Sequence, residues 1–137
     1  MVYPTSTLPG LGCLPNKLGL DNLFEAKNRP YTMPVSLGVA RMDQVESLVE
    51  IPEVLNEFLS NFTQGGITTI LPAKEELDKR LGGSNVAIRV FAHPAAIALA
   101  EECGPITATS ANESGVEPEC DTEIAASLLG IVHFVPG

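Results

Sequence analysis

The chain has no tryptophan, eight lysine and arginine residues in 137, three cysteines and two histidines. Each shortage excludes something. Cys13, Cys103 and Cys120 cannot all pair as disulfides and lack the spacing of metal ligands, so a reduced, cytoplasmic chain with no metal site is expected. No apolar run approaches the ~18 residues that cross a bilayer, and Met1-Val2-Tyr3-Pro4 lacks the basic-then-apolar layout of a secretory signal. No membrane association is expected. Seventeen acidic residues set the net charge at −9, and no basic cluster exists to neutralise nucleic-acid phosphates. Stable nucleic-acid binding is not expected, and the few cations must act locally. Neither His93 nor His133 has a Ser or Cys placed in sequence as a nucleophile partner. His93 reads as the start of a helix, His133 as part of an apolar strand.

What is present is enough for one domain, residues 1–137, with 45% apolar content and a core of useful size. Residues 1–4 read as the end of a strand, followed by a turn-rich loop over 5–16. Asp21 is placed to cap a short helix through residue 26, with Leu20, Leu23 and Phe24 facing inward. Residues 35–40, 67–71, 86–90, 105–109 and 131–135 read as strands. Ile51, Val54, Leu55, Phe58, Leu59 and Phe62 fall at helical spacing and give the firmest helical signal. Pro94 opens a helix over 95–103 that Gly104 closes, and a last helix covers 121–129. The alternation predicts an α/β layered fold, with ligands at the strand ends.

Two short clusters carry chemistry. Lys27-Asn28-Arg29 places two cations two residues apart, on one side of an extended or turning segment, where both reach one anion. The alternative is a solvated pair after a helix, with Lys27 favoured by the C-terminal dipole. Either way, both lie at a loop, where truncation is expected to spare the core. The second cluster, Thr109-Ser110-Ala111-Asn112-Glu113-Ser114-Gly115, offers hydroxyls, an amide and a glycine suited to curl round an oxyanion. Its alternative is a plain loop of Asx and Ser turns. Arg89 sits between Ile88 and Val90, so it points away from an apolar face. It either pairs with a carboxylate or lines a ligand cleft.

In order, the chain reads Tyr3-Pro4-Thr5-x-Thr7-x-x-Gly10-Leu11-Gly12-Cys13, Lys27-x-Arg29-Pro30, Gly65-x-x-Thr68, Val86-Ala87-Ile88-Arg89-Val90, and Pro105-Ile106-x-Ala108-Thr109-Ser110-Ala111-Asn112-x-Ser114-Gly115. This set, over residues 3–118, resembles the YrdC/Sua5 family of threonylcarbamoyl-AMP synthases. The resemblance implies a twisted, mixed open sheet flanked by helices (α/β, α+β) with a concave cleft. It implies a nucleotidyltransferase that joins L-threonine, bicarbonate (or CO2) and ATP, with Mg²⁺ arriving on the nucleotide, into threonylcarbamoyl-adenylate and pyrophosphate. A separate tRNA threonylcarbamoyl transferase would then modify adenosine 37. The site residues implied are Lys27 and Arg29 as catalytic, with Arg89, Ser110 and Asn112 also toward the nucleotide, and Thr5 and Thr7 toward threonine. Such chemistry needs preorganised cations rather than a protein nucleophile.

The chain departs from the family at Ser6, Pro9 and Gly66, where relatives usually carry an acidic residue, an aromatic and a proline. Relatives also begin with a further helix and strand and continue past residue 137. A non-catalytic RNA- or ribosome-associated binding protein on the same fold is one rival, opposed by the charge of −9. A paralogue that adenylates another carbamoylated amine is the second.

Overall fold

The computed structural model describes residues 1–62 and 67–137. In chain order its elements are β1 (Val2–Tyr3), β2 (Gly10–Leu11), α1 (Lys17–Lys27), β3 (Ser36–Val39), α2 (Leu55–Leu59), β4 (Thr68–Pro72), β5 (Asn85–Val90), α3 (Pro94–Cys103), β6 (Ile106–Ser110) and α4 (Thr122–Leu128). Short 3-10 turns cover Met42–Val45 and Lys79–Leu81. The six strands form one sheet, in the order β1-β2-β6-β3-β5-β4. β3 and β5 run parallel and the other neighbours antiparallel. The mixed open sheet flanked by helices is the predicted fold.

Register sorts the side chains into two faces. Gly10 pairs with Ser110, Ser36 with Ala108, and Gly38 with both Arg89 and Ile106, so these share one face. There Tyr3, Phe91 and Ile106 form a small core with Ala96 and Ala100 of α3. The opposite face carries Leu37, Val39, Val86 and Ile88 in the larger core, with Leu20, Leu23 and Phe24 of α1 and Ala125 and Ala126 of α4. Glycine is required where aromatic rings lie on the sheet: a Cβ on Gly38 would stand 1.9 Å from the Phe91 ring, and one on Gly10 2.7 Å from Tyr3.

Several sequence expectations change. α1 begins at Lys17, not at Asp21, because Asn16 caps it, its Oδ1 accepting from the Gly19 N–H at 2.8 Å. Asp21 lies inside the helix and bonds Lys17 and the buried Arg80 instead. The 5–16 loop contains β2, which its register with the end of β6 holds in place. The apolar stripe over 51–62 yields only the five-residue α2. Both Ser60 Oγ and Asn61 Nδ2 donate to the Glu57 carbonyl, competing with continuation of the helix. Leu55 alone of that stripe is buried, while Val54, Phe58 and Phe62 are exposed. Residues 131–135 form no full strand, only a bridge from Phe134 to Val2, since β1 is two residues long and leaves no ladder to extend. The remaining predicted helices and strands stand within two residues of their expected limits. Gly65 and Gly66, singled out in the sequence, lie outside the described residues.

Candidate active site

A cleft of about 240 Å³ opens on the sheet face that carries Arg89. Its walls come from the 5–9 loop, from Ser36 and Ser110, and from Arg89, Phe91 and His93 at the end of β5. The site therefore spreads across a sheet face rather than sitting only at strand ends. α3 covers that face incompletely: its buried contacts are two alanines, Ala96 and Ala100.

Thr5 and Thr7 both line this cleft. Thr5 Oγ1 accepts from the Thr7 N–H at 3.1 Å and donates to the Leu8 carbonyl at 2.5 Å, so it shapes its own loop. Thr7 is exposed, its hydroxyl 3.3 Å from that of Thr5. Arg89 makes no ion pair among the described residues. Its Nε and Nη2 donate to Thr68 Oγ1, at 3.2 and 3.1 Å, across the β4–β5 register. That bond fixes the guanidinium at the cleft without neutralising it.

Lys27 departs furthest from expectation. It ends α1, and Asn28 in the left-handed region (φ 50°) caps the helix, so Lys27 and Arg29 are not neighbours along an extended segment. The Lys27 side chain is 1% exposed, which excludes the solvated-pair reading and means its truncation would open a buried space. Its ammonium donates to the carbonyls of Ser110 at 2.5 Å and Asn112 at 2.7 Å. The backbone agrees, the Ser114 N–H donating to the Lys27 carbonyl at 2.8 Å. Lys27 thus lies directly behind Ser110, holding the 110–114 loop. No carboxylate pairs with it among the described residues, and only two of its three donors are used. Burial, and secondarily the Arg29 charge, lowers its pKa to about 8.

Arg29 turns to the next loop, donating from Nε to the Met33 carbonyl at 2.7 Å and from Nη2 to Pro34 at 2.8 Å. Partial burial lowers its pKa as well. Asn112 Nδ2 donates to the carbonyls of Glu113 and Val116, so the side chain holds the loop through its nitrogen and not through the Oδ1 contact of an Asx turn. Its Oδ1 and the Ser114 hydroxyl are buried with no hydrogen-bond partner. Of the predicted residues, Thr5, Thr7, Arg89 and Ser110 share the cleft. Lys27 and Asn112 back it through the 110–114 loop, and Arg29 acts on Lys27 through its charge.

Sequence reading missed His93, Phe91 and Ser36 as cleft residues. The signal was there: Arg89, Phe91 and His93 alternate, so a strand continued past Val90 places all three on one face. His93 also starts α3 as predicted, its Nδ1 accepting from the Ala95 N–H at 3.1 Å. No carboxylate lines the cleft, and no group of three potential metal ligands gathers among the described residues. This donor set of hydroxyls and cations suits anionic oxygens and does not suit a resident Mg²⁺.

A family model for Sua5/YciO/YrdC proteins, described as "Telomere recombination", matches residues 1–135. The chain is 35% identical to a threonylcarbamoyl-AMP synthase of Aliivibrio fischeri, over 98% of this chain and 78% of that one. It is 40% identical to one from Bacillus subtilis, over 84% of this chain but only 35% of the relative. Among solved structures, P. abyssi Sua5 complexed with L-threonine superposes with a TM-score of 0.88 at 33% identity, over 99% of this chain and 42% of that one. E. coli YciO gives a TM-score of 0.75 at 27% identity, over 92% of this chain and 64% of that chain. The chain spans well under half the length of the B. subtilis and P. abyssi proteins. With the family model covering almost every residue and the fold in agreement, the chain belongs to the Sua5/YciO/YrdC family.

Proposed function

We propose that the cleft forms threonylcarbamoyl-adenylate from L-threonine, bicarbonate and ATP, the product that a tRNA threonylcarbamoyl transferase would consume. The observation that carries this reading is a cleft lined by Arg89 and by Ser110, with an unneutralised lysine held directly behind Ser110. Lys27 is buried and unneutralised behind Ser110, Arg29 stands close enough to repel it, and Arg89 lines the opening. In a chain of net charge −9 such a concentration has a local purpose. The names of the relatives and the threonine bound to P. abyssi Sua5 agree with it.

In the reaction proposed, the threonine amine attacks the carbon of bicarbonate or CO2 and forms a C–N bond; with bicarbonate the carbamate forms as water leaves, and with CO2 it forms as the amine gives up a proton. A carbamate oxygen then attacks the α-phosphorus of ATP, and the bond to the bridging oxygen breaks as pyrophosphate leaves with its electron pair. Lys27 and Arg29 stabilise charge on the phosphates and carbamate. Ser110 and Asn112 shape the loop that receives the phosphates, Arg89 lines the cleft, and Thr5 and Thr7 face the threonine. Mg²⁺ comes as part of the nucleotide substrate, its ligands being phosphate oxygens and water. The cytoplasm supplies all three substrates.

Pyrophosphate release tests this. With ATP, Mg²⁺ and bicarbonate, release should depend on added L-threonine, proceed more weakly with serine and fail with valine, because a pocket that hydrogen-bonds a hydroxyl rejects an analogue without one. Equal release with valine removes the threonine pocket. Release with a different amine alone establishes the paralogue reading.

A further inference from the structure

The cleft holds a second donor that the reaction above does not use. His93 lines it, four residues beyond Arg89 in the chain. Its Nδ1 accepts from the Ala95 N–H at 3.1 Å, as the N-cap of the ten-residue α3. An imidazole nitrogen that accepts carries no proton, so in the neutral ring the proton sits on Nε2. Nε2 has no hydrogen-bond partner among the described residues. The cap therefore restricts the ring and leaves Nε2–H as a donor without a protein partner among the described residues. The surroundings select its acceptor: the cleft is lined by hydroxyls, Arg89 and no carboxylate. Its volume of about 240 Å³ falls below the roughly 300–1,000 Å³ of sites for drug-sized ligands. An amino acid fits within such a space.

We propose that His93 is a substrate-contacting residue, its Nε2–H donating to the carboxylate of the amino acid bound in this cleft. The proposal rests on the threonine reading and adds to it a specificity-determining contact. The donor there reads the carboxylate alongside Arg89. The α3 cap preorganises it, so little rotamer freedom is lost on binding.

Two roles of one side chain must be separated in the test, and the variant does so. His93→Ser keeps a good N-cap while removing the cleft donor. L-threonine binding to the full chain is measured by calorimetry for wild type and His93→Ser, alongside melting temperature, and repeated with (R)-1-amino-2-propanol, which keeps the amine and hydroxyl and lacks the carboxyl group. The expected result is an unchanged melting temperature and a threonine Kd raised about tenfold or more, as for loss of a hydrogen bond to a charged group. The amino alcohol should bind the two proteins equally. A His93→Ser protein that binds threonine as wild type does overturns the proposal and leaves the threonine reading standing. Binding of the amino alcohol weakened as much as that of threonine also overturns it, since the lost contact is then not to the carboxylate. A wild-type protein that binds no threonine overturns the functional reading and this contact together.

Discussion

Lys27 and Arg29 stand two apart in the chain yet serve different loops, and the difference makes their variants separable. Arg29 is half-buried, with its fork on the Met33 and Pro34 carbonyls. Arg29→Ala should lower turnover by about 10²–10³, the usual cost of one preorganised electrostatic contact, with a smaller loss of melting temperature than Lys27→Ala, because the Met33 and Pro34 carbonyls lose their partner but no fully buried site is emptied. Arg29→Lys should not rescue it, because an ammonium cannot reproduce two parallel N–H bonds. Lys27→Ala should lower both activity and stability, since it empties a fully buried site and frees the 110–114 loop. Loss of a comparably long buried side chain costs roughly 2–5 kcal/mol. Activity assays beside thermal melts distinguish the two patterns. Lys27 also predicts a pH dependence. Its pKa falls from 10.5 in the unfolded chain to about 8 in the fold. Between those values the unfolded state binds more protons, so this group's contribution to stability rises with pH while its positive charge is lost. ATP affinity in calorimetry should therefore fall above about pH 8 in a protein that this group has not destabilised. At this scale the sequence made residue types legible but not partners. Nothing local to Lys27-Asn28-Arg29 reveals that one cation points into the core, because that depends on a loop more than 80 residues away.

Elements were most legible where a local cap or register agrees with the tertiary structure. α3 has Pro94 at its start and Gly104 (φ 79°) at its end, and both limits follow from the chain alone. α1 was misplaced at its start because Asn16 and Asp21 are both good caps, and Asp21 is claimed by Arg80. Arg80 is buried, bonds Asp21 and Asp78, and lies over the rings of Phe24 and Tyr31. It thereby ties α1 to the Lys79–Leu81 turn. The 51–62 stripe misled for another reason: its periodicity is real, but little packs against it, and tertiary packing is what stabilises a short helix. The strand pairing makes its own prediction. Gly38→Ala drives a methyl into the Phe91 ring, an overpacking that typically costs about 1–3 kcal/mol. Because Phe91 lines the cleft, threonine affinity should fall with melting temperature, which circular dichroism and calorimetry on the one variant check together.

Over the whole molecule the net charge of −9 shapes which partners approach. Gel shifts with tRNA or duplex RNA at physiological salt should show no sub-micromolar binding, since few phosphates can be neutralised. Tight binding with a steep salt slope would restore the rival of an RNA-associated protein. The family motifs over residues 3–118 made the mixed sheet readable, together with four residues, Thr5, Thr7, Arg89 and Ser110, that line one cleft. What they did not convey is its position, a concave face walled by the ends of β5 and β6, because that emerges from sheet order. The central claim is that this cleft adenylates a carbamoylated threonine. Incubation with ATP, Mg²⁺, L-threonine and ¹³C-bicarbonate, followed by mass spectrometry, tests it most directly. The account predicts a threonylcarbamoyl-adenylate that carries the label, formed with stoichiometric pyrophosphate and lost in Arg29→Ala. A folded protein that leaves ATP intact, or an Arg29→Ala variant as active as wild type, would contradict it.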